Sequence, residues 1–476
     1  PSQLNETVKG MNDSLIHGGP DDSGIYVEHQ LGVALGHRRL SIIDTSSAGH
    51  QPMASPSGRW IVVFNGEIYN HVELRAELDG ITQIQWRSKS DTETLVELID
   101  FWGLDVALQK THGMFALAVW DTLKKTLSLA RDRMGEKPLY YGLQGGVFLF
   151  GSELKALRIH PAFKGEIDRD VLTLFLRHNY IPEPYSIYKG IKKLAPGFFL
   201  KLDGSSSQFT AKELPVPSPY WSFRDAVISG LENPYAGNDS DAIKAMEGLL
   251  NTAVRGQMVA DVPLGAFLSG GIDSSIVAAL MQAQSTRPVS TFTIGFHEAG
   301  YNEALHAKAV ARHLGTEHTE LYVTSEQAQA VIPKLPALYD EPFADSSQIP
   351  TFLVSELTRR HVKVSLSGDG GDELFGGYNR YVLAQKIWSK ISRLPESVRS
   401  LGESFIFTLS PGAWNKLLGP LQFLAPTSLH QVNIGDKLHK GAGVLSAQST
   451  DELYLRLVTH WQPDGLVIGA EEPPTY

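Results

Sequence analysis

Residues 268–275 read LSGGIDSS, two glycines and three hydroxyls gathered around one aspartate where an apolar run ends. Such a stretch buries little, so its value lies in what its backbone can hold. The preceding VPLGAFLS (262–269) has the make-up of a strand and the following SSIVAALMQ (274–282) that of a helix. Leu268 then closes the strand, the helix begins near Asp273, and Ser269, Gly270 and Gly271 form the turn between them. Glycines let a ligand approach the backbone closely, and the unpaired N–H groups at the positive end of the helix dipole favour an anion. Pyrophosphate suits this cradle. Ser269, Ser274 and Ser275 would donate to its oxygens, and Asp273 would hold a Mg²⁺ that neutralises them. No G-x-x-x-x-G-K-[ST] pattern is present, so the turn is not a Walker loop.

Working outward, SLSGDGGDELFGGY (365–378) repeats the design. It follows the apolar HVKVSL (361–366) and brings Asp369, Asp372 and Glu373 to its end. VSTFTIGF (289–296) before EALHAKAVARHLG (303–315) supplies another strand–helix pair. Strands alternating with helices predict a parallel α/β sheet, whose ligands collect at the carboxyl ends of the strands, so the two turns should face one cleft. Ser367 and Gly368 would contact the nucleotide there, and Asp372 would join Asp273 on the metal.

The first 200 residues are patterned differently. WIVVFNG (60–66), FALAVWD (115–121), TLSLARD (126–132) and PLYYGLQGGVFLFGSE (138–153) are short β-branched and aromatic runs with turn punctuation, which predict hairpins and an antiparallel sheet. SDTETLVELIDFWG (90–103) has helical apolar spacing at Leu95, Leu98, Ile99 and Trp102, with Ser90 and Glu93 placed for a capping box. AKELPVPSPY (211–220) carries three prolines and reads as a linker, near a polar DGSSSQ turn at 203–208. The domain border is expected between about 205 and 225.

The chain has 476 residues, too many for one ordinary core. Its formal net charge of −10 and the lack of a dense Lys/Arg run argue against a nucleic-acid partner. Neither a secretory leader nor an apolar run long enough to span a membrane stands out, so a cytoplasmic location is expected. Cysteine is absent, which removes disulfides, thiolate metal sites and thiol chemistry from this sequence. His17, His37 and His112 have no metal-ligand spacing and are expected to be structural.

In matching order, HGGPDDSG, GHRRLSIID, NGEIYN, SDTE, RDRMGEKPLYY, SELKAL, LSGGIDSS, TFTIGF and SGDGGDELFGGY run through most of the chain. With them the sequence resembles the glutamine-hydrolysing asparagine synthetase family. That resemblance implies two domains of α+β and α/β class. Residues 1–205 would be a class II glutamine amidotransferase domain, an αββα sandwich of antiparallel sheets of the Ntn-hydrolase type. Residues 206–224 would be a linker, and 225–476 an ATP-pyrophosphatase synthetase domain with the parallel sheet of the adenine-nucleotide α-hydrolase (PP-loop) type.

Carried onto matching positions, the resemblance implies that Arg39, with the backbone of Leu40, Ser41, Ile42 and Ile43, binds the glutamine carboxylate. A guanidinium fork suits that group. Asn65 and Gly66 would form the oxyanion hole, Asp91 would hold the α-amino group with Glu67 nearby, and Ile294 would lie against adenine. Asp369 would orient the acceptor or ammonia. ATP and Mg²⁺ are the implied cofactors, and the partners are small molecules, namely glutamine, ATP and aspartate or another carboxylate. No nucleic acid or membrane is expected, and a homodimer is compatible with this reading.

Four features depart from the family pattern. Its glutaminase nucleophile is an N-terminal cysteine, whereas none occurs here, and the N-terminal strand and nucleophile are expected to be missing from the sequence. The segment carrying the family's catalytic lysine is not found before Tyr476, HGGP (17–20) stands for the usual HRGP, and Asp369 stands where many members have glutamate. The expected reaction is the ATP-dependent amidation of aspartate to asparagine, with AMP and pyrophosphate released. The alternatives are the same chemistry on a sugar uronate, a β-lactam-type ring closure, or a non-catalytic nucleotide-binding homologue.

Overall fold

The structure is a computed structural model that describes residues 2–204, 214–297, 302–418, 434–463 and 465–475. It forms two compact units: residues up to 175, 179–368 and from 467 onward make the first, and 176–178 with 369–466 the second. Both the antiparallel and the parallel sheets belong to the first unit.

Three antiparallel sheets occupy the amino-terminal part. The largest has the order β11-β10-β6-β5-β4-β3, built from Met53–Ala54 (β3), Trp60–Ile68 (β4), Gly113–Asp121 (β5), Thr126–Arg131 (β6), Phe198–Asp203 (β10) and Ser218–Pro219 (β11). Asp22–Glu28 (β1) pairs with Val33–Arg39 (β2), and Val147–Gly151 (β8), Tyr140–Gln144 (β7) and Ile191–Lys193 (β9) form a third sheet. Of the linker expected over 206–224, residues 206–213 lie outside the described residues, as do 205–208 of the polar turn. Ser218–Pro219 joins the large sheet through Phe198 and Phe199.

Period-two alternation decides how that sheet is covered. Val62, Phe64, Phe115, Leu117 and Val119 face the cluster of Leu74, Leu78, Leu95, Leu98 and Ile99, which is supplied by α2 (His71–Ile81) and α3 (Asp91–Trp102). Ile61, Val63, Ala116, Ala118 and Trp120 face Leu35 and Tyr141 of the smaller sheets and Leu139 just before β7. Each fully buried apolar side chain stabilises the fold by about 1.5–3 kcal/mol. With both faces buried, the strands read as continuous apolar runs. The amino-terminal helix α1 (Ser2–Asp13) packs on β2, where Val8 lies so close to Gly36 that a Cβ there would stand 3.2 Å from it.

Ser90 caps α3 by accepting from the Thr92 N–H, but the expected capping box does not form. The Glu93 carboxylate instead accepts from the N–H groups of Arg87 and Ser88 at 2.8 and 2.7 Å. The preceding turn folds back and supplies these donors before the N-cap N–H can compete.

The parallel sheet has the order β14-β13-β12-β15, from Leu264–Phe267 (β12), Ser290–Phe296 (β13), Glu317–Val323 (β14) and Val364–Leu366 (β15). The helices Ile272–Gln284 and Ala304–Leu314 follow β12 and β13, as the sequence pattern predicts. They meet through Leu268, Ala278, Ala307 and Ala311. The second unit is helical, and its core contains Ile391, Val444, Ala447 and Leu453. No helix among the described residues is long and apolar enough to cross a membrane.

One buried carboxylate orders the turn after β6. Asp132 is fully buried, and its oxygens accept from the N–H groups of Phe115, Met134, Glu136 and Lys137 at 3.0–3.1 Å. Asp132→Ala strands four donors away from water. It should lower stability by about 2–4 kcal/mol, read as an earlier midpoint of the first urea transition; an unchanged midpoint would refute this account of the turn.

Candidate functional site

In the antiparallel part, a pocket of about 130 Å³ is lined by Arg39, Leu40, Ile42, Ile43, Asn65, Gly66, Glu67 and Asp91, among others. Eight of the nine residues expected around the glutamine site line it; the ninth, Ser41, is not a lining residue but lies within the same loop. The pocket also draws on residues that sequence reasoning missed, chiefly Gln51 and Lys137. Gln51 is buried, accepts from the Phe64 N–H at 2.7 Å and donates to Thr92 Oγ1 at 3.3 Å. The signal for Lys137 was its place in RDRMGEKPLYY, a motif to which no residue role was attached.

Backbone geometry aims Gly66 at this pocket. Along a strand, successive N–H groups point to opposite edges. The Phe64 N–H goes to Gln51 and the Ile68 N–H to Asp91 Oδ2 at 2.9 Å, both away from β5. Gly66 lies between them, so its N–H points to the same edge, into the pocket. A side chain is excluded there, because a Cβ on Gly66 would stand 2.0 Å from the Met114 carbonyl oxygen. The Asn65 amide donates to Ser152 Oγ at 3.3 Å and keeps its second N–H.

Two buried carboxyls sit beside these donors. Asp91 opens α3 and accepts from the Ile68 and Thr92 N–H groups. Burial pushes it up to about 6, against the pull of those bonds and of Arg39. Glu67 is pushed up to about 7 by burial first and then by the Asp91 charge, with Lys137 opposing. Its Oε1 has no hydrogen-bond partner among the described residues. His37 also lines the pocket; burial pushes it down to about 4, and Nε2 lies 3.0 Å from the Phe64 carbonyl.

Arg39 does more than the sequence suggests. Its guanidinium is buried and donates to the carbonyls of Ser46 at 2.8 Å, Ile43 at 3.3 Å and Asp44 at 2.5 Å. Nε–H and one Nη1–H remain for a ligand. The Ser41 N–H is likewise engaged, donating to Asp21 Oδ2 at 2.8 Å.

A second cavity, of about 170 Å³, adjoins the first and shares His37, Phe64 and Asn65 with it. Its walls include Gly32, Ala34 and Gly36 from β2 and its lead-in, and Val147–Gly151 of β8. Each of those strands has one unpaired edge in its sheet.

In the parallel part, Gly270 adopts φ +81°, and a Cβ on it would stand 2.7 Å from the Ala307 nitrogen. A Cβ on Gly368 would stand 2.5 Å from the Ser274 nitrogen. The two glycine turns therefore meet backbone to backbone. Ser269 Oγ lies 2.9 Å from Ser274 Oγ, Ser275 Oγ donates to the Gly271 carbonyl at 2.6 Å, and Gly271 caps its helix without a side-chain bond. This leaves helix N–H groups near Asp273 open to an anion. Ile294 lies on β13 and packs toward Val323 and Leu353. Asp369 and Asp372 begin the second unit, where the Tyr378 hydroxyl donates to Glu373 Oε1 at 2.6 Å. Among the described residues no group of three or more His, Cys, Asp or Glu side chains is gathered as metal ligands. Asp273 and Asp372 are hard oxygen donors of the kind Mg²⁺ takes along with phosphate oxygens and water.

Residues 1–220 match the model of a glutamine amidotransferase domain, and 245–475 that of asparagine synthase. A putative glutamine-hydrolysing asparagine synthetase of Methanocaldococcus jannaschii is 35% identical over 421 residues, 84% of this chain and 77% of that protein. Asparagine synthetase 1 of Bacillus subtilis is 36% identical over 379 residues, 79% of this chain and 56% of that protein, so the chain spans just over half its length. A solved glutamine phosphoribosylpyrophosphate amidotransferase from B. subtilis, complexed with ADP and GMP, aligns over 62% of this chain and 77% of that one, at 17% identity and a TM-score of 0.30.

An ammonium group beside Glu67 and Asp91 is held only while they are ionised. With carboxyls at about 7 and about 6, the Kd of a glutamine held there should rise as pH falls, by about tenfold per pH unit between 7 and 6 and more steeply below 6, where the second carboxylate is also lost. Calorimetric titration with glutamine between about pH 8 and pH 5 checks this, because a sequence without cysteine offers no thiol to turn glutamine over. A flat profile would remove both carboxylates from the ammonium site.

Proposed function

Since the chain belongs to the glutamine-hydrolysing asparagine synthetase family, a family of carbon–nitrogen ligases, we propose that it joins ammonia drawn from glutamine to a carboxylate activated by ATP. Residues 1–205 would form the amidotransferase domain, an αββα sandwich of Ntn-hydrolase type, 206–224 the linker, and 225–476 the synthetase domain of PP-loop type. What carries the reading is that a single compact unit holds both the glutamine pocket and the paired glycine turns.

In the first half, Asp91 and Glu67 hold the α-ammonium of glutamine, and the free N–H groups of Arg39 meet its carboxylate. The Asn65 amide and Gly66 N–H face the oxygen that gains charge when a nucleophile adds to the side-chain amide, where preorganised donors stabilise the transition state most. No residue of this sequence is assigned as the nucleophile; Asn65 lines both the second cavity and the glutamine pocket, so the cavity is the side from which a nucleophile would approach.

In the second half, a carboxylate of the acceptor attacks the α-phosphorus of ATP and pyrophosphate departs. The turn Leu268–Gly271, the hydroxyls of Ser269, Ser274 and Ser275 and the helix N–H groups receive it, with Ser367 and Gly368 on the nucleotide and Ile294 beside adenine. Asp273 and Asp372 would hold Mg²⁺, which supplies charge neutralisation. Ammonia then displaces AMP from the acyl-adenylate, leaving the amide. Adenylation is required because a free carboxylate offers no adequate leaving group. Aspartate is the proposed acceptor. Asp369, one methylene shorter than glutamate, favours as the second reading an acceptor of another shape. ATP and glutamine as substrates fit a cytoplasmic reaction.

Ammonium bypasses the glutaminase step. Incubation of the chain with ATP, Mg²⁺, ammonium and a panel of acids should release pyrophosphate only with the true acceptor, aspartate first. Binding of ATP without pyrophosphate release for any acid would favour a non-catalytic nucleotide-binding homologue.

A further inference from the structure

The loop that borders the glutamine pocket contains a backbone conformation that it does not hold alone. Asp44 has φ +54°, a left-handed conformation that costs a non-glycine residue about 1 kcal/mol or more and persists where neighbours over-determine it. Arg39 grips its carbonyl, and its carboxylate accepts from the N–H groups of Ser46 and Lys89 at 3.0 and 2.7 Å. The remaining backbone group, the Asp44 N–H, is bound from far along the chain, donating to Asp261 Oδ2 at 2.8 Å. The Asp261 N–H in turn donates to the Ile42 carbonyl at 3.0 Å. Asp261 therefore brackets Ile42–Asp44 with two bonds.

A second tie reaches the same loop. Lys363 Nζ lies 2.5 Å from Asp21 Oδ2, and that same oxygen accepts the Ser41 N–H at 2.8 Å. The sequence positions of the two ties matter. Asp261 stands three residues before β12, and Lys363 immediately before β15. The Lys363 N–H donates to the Pro263 carbonyl at 2.9 Å, and Leu264 pairs with Val364 in parallel register. Both strands thus start at the glutamine loop and end at the glycine turns of Ser269–Gly271 and Ser367–Gly368, about 13 Å away for four residues of strand.

We propose that Asp261 and Lys363 are positioning residues for glutamine: they hold the loop Leu40–Asp44 in its binding shape from the segments that lead into the nucleotide strands. The inference rests on the glutamine reading of the pocket and adds that glutamine affinity is set partly by the synthetase half. Asp261 carries the larger share. Lys363 and Asp21 form an exposed ion pair, a type worth little and screened by salt.

The test measures glutamine Kd by calorimetry and, in parallel, ammonium-driven pyrophosphate release. Asp261→Ala should weaken glutamine binding about five- to tenfold, the worth of one solvent-exposed hydrogen bond, with ammonium-driven release unchanged. Asp261→Asn keeps an oxygen for the Asp44 N–H and should stay within about twofold of the unsubstituted chain. Lys363→Met should cost about two- to threefold at low salt, a difference that vanishes at high salt. Unaltered affinity in Asp261→Ala, equal damage to both readouts, or failure of Asp261→Asn to rescue would overturn the proposal. Should Asp261→Ala not fold, Lys363→Met carries the decision: affinity unaltered at low salt would overturn the proposal. No glutamine binding by the unsubstituted chain would instead sink the glutamine site, and this inference with it.

Discussion

A buried guanidinium fixes the geometry on which the glutamine pocket depends. Arg39 carries its charge out of water, which costs several kcal/mol unless every available partner is aligned. It finds the carbonyls of Ile43, Asp44 and Ser46, and those three bonds curl the loop around it. Gly49 completes the enclosure, since a Cβ there would stand 1.9 Å from Nη2. The loop's shape follows from satisfying one cation, so the pocket that it borders is defined before any ligand arrives. Preorganisation of this kind lowers the entropic cost of binding.

Much of this architecture was legible in the sequence because it rests on local pattern. The turn LSGGIDSS announces itself by glycine, hydroxyl and the switch from strand to helix, and the structure forms that switch between Phe267 and Ile272. WIVVFNG and FALAVWD became adjacent antiparallel strands, with Trp60 opposite Asp121 and Gly66 opposite Phe115. Their unbroken apolar character has a physical cause in the two clusters that cover opposite faces. The grouping of Asn65, Gly66, Glu67 and Asp91 was legible only through family resemblance. Nothing in the spacing of residues 65 and 91 says that the first residue of a helix will accept a strand's N–H.

What stayed hidden depends on long-range competition for donors. Ser90 and Glu93 have the spacing of a capping box, yet Glu93 turns to Arg87 and Ser88 because the folded-back turn offers it two N–H groups and a hydroxyl. Arg39 was read as a ligand arginine, and no local signal shows that most of its donors shape its own loop. The contact of Gly368 with the Ser274 backbone and the bond from Asp44 to Asp261 join residues separated by 94 and 217 positions. The register of β12 with β15 brings the first pair together, and the second joins the loop after β2 to the lead-in of β12.

That register has a consequence for how two reactions share one unit. In a parallel sheet all strands start at one edge and finish at the other, so the fold sorts its loops into two groups by direction alone. Here the finishing edge carries the glycine turns and, after Gly271, a helix start without a side-chain cap, whose N–H groups suit phosphate. The starting edge carries Asp261 and Lys363, which reach the glutamine loop while staying exposed to solvent. An antiparallel sheet would interleave the two kinds of loop on each edge. With parallel strands only a few residues long, the starting edge lies one strand length from the nucleotide turns, and stiff paired backbone is all that separates them. A displacement of β12 or β15 along its axis would therefore be felt at both ends, whereas side-chain changes in the loops would stay local.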